Sequence, residues 1–120
     1  MTQFTPLAMT KKLVSYDTTS RDSNLDLIEF AAGYLKDLGI DATLIHNAEK
    51  TKANLYATIG PADVPGVVLS GHTDVVPVDG QDWTTAPFEP VESGGRLFGR
   101  GTSDMKSFIA TALALAPEMI

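Results

Sequence analysis

Cysteine is absent from the 120 residues. Its absence excludes disulfides, thiolate nucleophiles and thiolate zinc sites together. Long apolar runs are missing too. The longest, Ala112–Ala116, is far shorter than the roughly 18 residues of a membrane span. Lys11 and Lys12 near the N-terminus are followed by no apolar core, so no secretory leader is expected. Positive charge is scarce: Lys+Arg number 9 against 15 Asp+Glu, a net charge of −6, which offers nucleic acid no electrostatic footprint. Repeats and low-complexity tracts are not found. What is present, 43% hydrophobic and 20% charged residues, is ordinary globular composition and argues against disorder. A chain of this length makes about one domain. The expectation is an acidic, cytoplasmic domain, or a piece of one, that binds neither nucleic acid nor membrane.

Thr5-Pro6 reads as a cap and first helical residue, with Leu7, Met9 and Leu13 on the helix that follows. Tyr16 to Asn24 is polar and loop-like. Leu25, Ile28, Ala31, Leu35 and Leu38 recur at helical spacing, and Gly39 stands at the C-terminal stop. Residues 40–47 alternate as a strand, Asn54 to Ile59 reads as another, and Gly60 to Gly66 turns the chain. Val67-Val68-Leu69-Ser70 has the continuous apolar character of a strand buried on both faces. Ser93-Gly94-Gly95 marks a hairpin turn before Arg96-Leu97-Phe98. A last helix is expected from Thr102 or Ser103 through Ala116, ended by Pro117. This succession predicts an α/β fold.

Two stretches carry chemistry. Ser70-Gly71-His72-Thr73-Asp74-Val75-Val76-Pro77 follows the expected buried strand, and ligand sites in open α/β sheets gather beyond such strand ends. On extended backbone His72 and Asp74 share a face. A metal-binding imidazole usually donates its other N–H to a carboxylate, and His-x-Asp supplies both groups locally. The plainer reading makes His72 a loop histidine and Asp74 a turn former. In Gly99-Arg100-Gly101-Thr102-Ser103-Asp104-Met105-Lys106, the glycines mark a tight turn and Thr102 or Ser103 a helix cap. Asp104 then either sits in the first helical turn for the helix dipole or projects into a metal site. The lysine and hydroxyl of a phosphate-binding P-loop do not follow Gly94 to Gly99, and the Gly-x-Ser-x-Gly of a serine hydrolase is nowhere present. His46, on an alternating strand, reads as structural, and Trp83 as core cover.

The two stretches together, with Trp83 and Pro87-Phe88 between them, resemble the paired signatures of the M20 family of dinuclear metallohydrolases. Val78-Asp79-Gly80-Gln81 and Gly101-Thr102-Ser103-Asp104 are more similar to its deacetylases of N2-acetyl-L-ornithine than to its desuccinylases. Ala86, where the family often has Asp, and Ser107, where it usually has Gly, depart from the pattern without touching a candidate ligand.

The resemblance implies the N-terminal part of a zinc-peptidase-like catalytic domain over residues 1–120, with a mostly parallel mixed sheet flanked by helices. The remainder of that domain and a lid or dimerisation domain would lie elsewhere in a longer parent. It implies metal ligation by His72 and Asp104, Asp104 bridging two ions, and a catalytic role for Asp74 in orienting His72. The family's Glu-Glu pair, whose first member is the general base, a further acidic ligand and a late histidine have no counterpart here. Two Zn²⁺ ions per subunit are implied, with Co²⁺ or Mn²⁺ as alternatives. The implied reaction is deacetylation of N2-acetyl-L-ornithine, a step of arginine synthesis, by a homodimeric parent acting on a small-molecule substrate. Another N-acyl amino acid hydrolase, a desuccinylase, a carboxypeptidase or a non-catalytic binding module are the alternatives. The 120 residues alone are expected to be inactive.

Overall fold

The computed structural model describes residues 3–120. Helix α1 spans Pro6–Val14 as the Thr5-Pro6 pair predicts, with Thr5 Oγ1 accepting from Ala8 N at 3.1 Å. Helix α2, Leu25–Asp37, buries Ile28, Ala31 and Leu35 of the expected stripe together with Leu27 and Tyr34, while Leu25 and Leu38 are only partly buried. Gly39, at φ 81°, turns the chain out of it. Strands β1, Ala42–His46, and β2, Ala53–Ala57, form an antiparallel hairpin. Asn47 closes it, its Oδ1 accepting from Thr51 N at 2.9 Å and Lys52 N at 3.0 Å. Strands β3, Val91–Ser93, and β4, Arg96–Phe98, form the second hairpin about Gly94-Gly95.

Helix α3 spans Lys106–Met119 and differs from expectation at both ends. It starts after Met105, so Thr102 and Ser103 do not cap it. The chain instead turns through Gly99–Met105, with Lys106 N bonded to Gly101 O at 2.9 Å. Pro117 lies inside the helix rather than ending it. Proline leaves the carbonyl four residues earlier without its helical donor. That carbonyl belongs to Leu113, and the buried Tyr34 hydroxyl donates to it at 2.9 Å. A tertiary hydrogen bond thus replaces the helical one.

The core is shared by α1, α2, α3 and the first hairpin. Met9, Leu13, Leu27, Ile28, Leu35, Ala53 and Ala110 are all buried in it. Phe4 adds edge-on contacts to Phe30 and Tyr34, both with centroids 5.9 Å apart.

The α/β class stands, but the sheet needs correction. Both sheets among the described residues are antiparallel two-stranded pairs, not a mostly parallel one. Val67–Ser70 is not a strand, and Val67, Val68 and Leu69 are 88%, 76% and 53% exposed. A strand buried on both faces requires neighbours on both sides, and the described residues place none there. Parallel pairing survives only as a single bridge, Thr19 to Val75.

Candidate metal centre

The segment holding His72 and Asp74 is positioned by the polar loop before α2. Val75 N donates to Thr18 O at 3.1 Å and Ser20 N to Val75 O at 3.0 Å, with Thr18 Oγ1 donating to Thr73 O at 2.6 Å. Asn24 joins the helical side to this segment. Its Nδ2 donates to Ala53 O and to Thr73 Oγ1, both at 3.0 Å. The Asp104 turn is held against the same segment through Gly101. At φ 94°, its missing side chain leaves room for Val75 Cγ1 and Lys106 Cδ, which a Cβ would meet at 3.0 and 3.1 Å.

Lys106 is fully buried, its Nζ donating to Tyr16 O at 2.7 Å. Burial pushes its ammonium down to about 8, against a smaller opposing pull from Asp17. The lysine ties the end of α1 to the start of α3, immediately behind Asp104. Sequence reading took its neighbourhood only as part of a motif. A lysine two positions after a candidate ligand was the available signal.

These supports bring His72, Asp74 and Asp104 together. The imidazole Nδ1 lies 3.0 Å from both the Asp74 carbonyl and Asp74 Oδ1, and Nε2 lies 3.1 Å from Asp104 Oδ1. The Ser20 hydroxyl donates to the other Asp74 oxygen at 2.6 Å. The Asp74 carbonyl, followed by Asp104, raises the His72 pKa above its ordinary value, opposed by partial burial. Ser20, then His72, hold the Asp74 carboxyl below its usual range. Ser20 is a participant that sequence reading passed over within a polar loop. His46 stays outside the site, exposed on β1. Trp83 packs beside Arg100 rather than covering the core. Asp104 lies one residue before the N-cap of α3, outside the first turn expected for it but still beside the helix N-terminus.

Donor bookkeeping decides what the pair can hold. Nδ1 faces two acceptors and therefore carries a ring hydrogen; in the neutral imidazole Nε2 then points a lone pair at a carboxylate oxygen, whereas the protonated ring donates to it. Two acceptors 3.1 Å apart need a cation between them, either a proton or a metal ion. Ligands each about 2.0–2.2 Å from one zinc ion stand roughly 3.0–3.5 Å apart, so the separation fits a shared metal. Asp74 Oδ1, 3.0 Å from Nδ1, stands where the outer carboxylate of a carboxylate–histidine–metal arrangement would stand. Three convergent His, Cys, Asp or Glu ligands are not found among the described residues, so a metal ion here would need ligands beyond His72 and Asp104. They border a cleft of about 260 Å³ that also takes in Val75, Arg100 and Thr102.

Fold and site together define an α/β chain with a histidine–carboxylate pair on a polar cleft. Residues 68–120 match the model of Peptidase family M20/M25/M40. The chain is 40% identical over 118 residues to a succinyl-diaminopimelate desuccinylase of Wolbachia pipientis wMel, covering 96% of this chain and 28% of the relative. It is 39% identical over 108 residues to an acetylornithine deacetylase of Shigella sonnei (strain Ss046), covering 89% of this chain and 28% of the relative. An acetylornithine deacetylase of Pasteurella multocida (strain Pm70) is 37% identical over 117 residues, with 97% and 30% covered. The chain therefore spans less than a third of the length of these relatives. Their names divide between two activities at nearly equal identity, so overall similarity does not reproduce the preference for deacetylases seen in the local motifs. Among the described residues, no helix is long and apolar enough to cross a membrane.

Proposed function

We propose that the chain is the N-terminal part of the catalytic domain of a metal-dependent amide hydrolase that deacetylates N2-acetyl-L-ornithine. The observation that carries this reading is the His72 Nε2–Asp104 Oδ1 pair, two acceptors at metal-ligand separation with Asp74 behind the ring. The match of residues 68–120 to the M20/M25/M40 model supports the hydrolase class. The motif Gly101-Thr102-Ser103-Asp104 supports the acetyl substrate. A desuccinylase is the second reading, supported by the 40% identity to a relative of that name.

His72 and Asp104 would hold the metal, Zn²⁺ or in its place Co²⁺ or Mn²⁺, with Asp104 shared between two ions. Such a pair, when bound, supplies Lewis acidity toward an amide carbonyl and lowers the pKa of water. His72 contributes a neutral lone pair, kept available because Asp74 binds the hydrogen on Nδ1. Ser20 contributes by holding Asp74 ionised and fixed. Asp104 contributes charge from a side chain that is 86% exposed and open to ligands arriving from the cleft. The general base and the remaining ligands would come from elsewhere in a longer, cytoplasmic, homodimeric parent.

The test is hydrolysis by the full-length protein loaded with Zn²⁺ or Co²⁺. Ornithine release from N2-acetyl-L-ornithine is compared with diaminopimelate release from the N-succinyl substrate. A kcat/KM at least about tenfold higher for the acetyl substrate supports the first reading. The reverse ratio supports the second, and turnover of neither overturns both.

A further inference from the structure

Arg100 lines the same cleft as His72 and Asp104, and its charge meets no counter-ion among the described residues. Each ion pair among the described residues is made by other groups: Lys11 with Glu92, Arg21 with Asp79, and His72 with Asp74 and Asp104. The guanidinium has found only neutral company. Its Nη2 donates to Gln81 Oε1, which also accepts from Trp83 Nε1 at 3.0 Å. The Trp83 ring lies against the guanidinium carbon, 5.2 Å from its centroid. Arg100 Nε is buried and has no acceptor. The backbone is fixed as well, Arg100 N donating to Pro87 O at 2.7 Å.

A half-buried arginine that is stacked, clamped and left with unused donors has already met the ordering and desolvation costs of binding an anion. Its planar fork matches a carboxylate, which accepts two parallel N–H bonds. The nearby acids do not compete. Asp74 is engaged by Ser20 and His72, and Asp104 by His72.

We propose that Arg100, held by Gln81 and Trp83, reads a carboxylate of the ligand in this cleft. Resting on the amide-hydrolase reading, this carboxylate is the α-carboxylate of an N-acyl amino acid whose acyl group lies toward His72 and Asp104. Arg100 is thus a specificity residue for acidic over amidated substrates.

The test uses the full-length protein labelled with ¹⁵N in arginine and tryptophan, titrated with sodium acetate at ionic strength matched by sodium chloride. The buried Arg100 Nε–H should exchange slowly enough with water to be observed, and its signal is assigned by its loss in Arg100→Lys. The expected result is a saturable shift of this signal and of the Trp83 indole N–H in acetate only, with the indole response abolished in Arg100→Lys. An equal response to chloride, or none to acetate, overturns the proposal. Kinetics provide the second arm. Arg100→Lys should raise KM for N2-acetyl-L-ornithine about tenfold or more at little changed kcat, and leave its α-carboxamide unaffected. Normal hydrolysis without an acetate-dependent shift overturns the Arg100 assignment alone. A saturable shift in a protein that hydrolyses no N-acyl amino acid upholds the carboxylate site and removes the hydrolase reading.

Discussion

The helical side of the molecule and the cleft side are built by different means. On the helical side, α1, α2 and α3 bury Met9, Leu13, Leu27, Leu35 and Ala110 against one another, and non-directional apolar contact holds them. On the cleft side little apolar surface is buried. Val67 and Val68 stand exposed, while Thr18, Ser20 and Asn24 hold the His72–Val75 segment by directed hydrogen bonds. Apolar packing tolerates small shifts, whereas a metal edge requires a fixed separation. The cleft therefore uses polar pins where the core uses area. Lys106 and Asn24 join the two sides, each reaching from a helix terminus into the cleft loops.

The sharpest way to break this division is Asp104→Asn in the full-length protein. An amide cannot supply two anionic oxygens to two cations, so activity should fall almost to background while circular dichroism stays unchanged. Normal turnover in this variant would falsify the ligand role. Asp74→Ala should cost roughly 10–100-fold in metal affinity or activity, the usual effect of losing the carboxylate behind a ligating histidine. Calorimetric metal titration beside kinetics reads this, and an unchanged affinity removes Asp74 from the site.

Two glycines separate the sides by stability. Gly101→Ala should destabilise by about 1–3 kcal/mol in urea melts, because φ is 94° and the new Cβ meets Val75 and Lys106. It should also weaken metal binding by displacing the Asp104 turn. Gly39→Ala has a comparable φ of 81° but open space, so it should cost only backbone strain, about 1 kcal/mol, and leave metal affinity alone. Equal effects of the two on metal binding would erase the distinction. The smallest effect is expected for Tyr34→Phe. It orphans the Leu113 carbonyl beneath Pro117 and should cost about 1 kcal/mol without altering metal affinity.

Local physics was legible from residue order alone. A helix buries one face at 3.6-residue spacing and a hairpin turns at Gly94-Gly95, so α1, α2 and the two hairpins follow from patterns a few residues long. The candidates His72, Asp74 and Asp104, which the structure brings together, were also legible, because two short motifs named their residue types. Tertiary structure decided everything that needed a distant partner. Val67–Leu69 has a strand's composition but no ladder, since pairing depends on which segments lie alongside it. Pro117 continues a helix because Tyr34 reaches its orphaned carbonyl. His72 meets Asp104 across 32 residues, and Arg100 meets Gln81 across 19, only because the chain returns on itself. Periodicity and propensity are properties of neighbours in sequence. A 3 Å contact between residues far apart depends on the packing of everything between them.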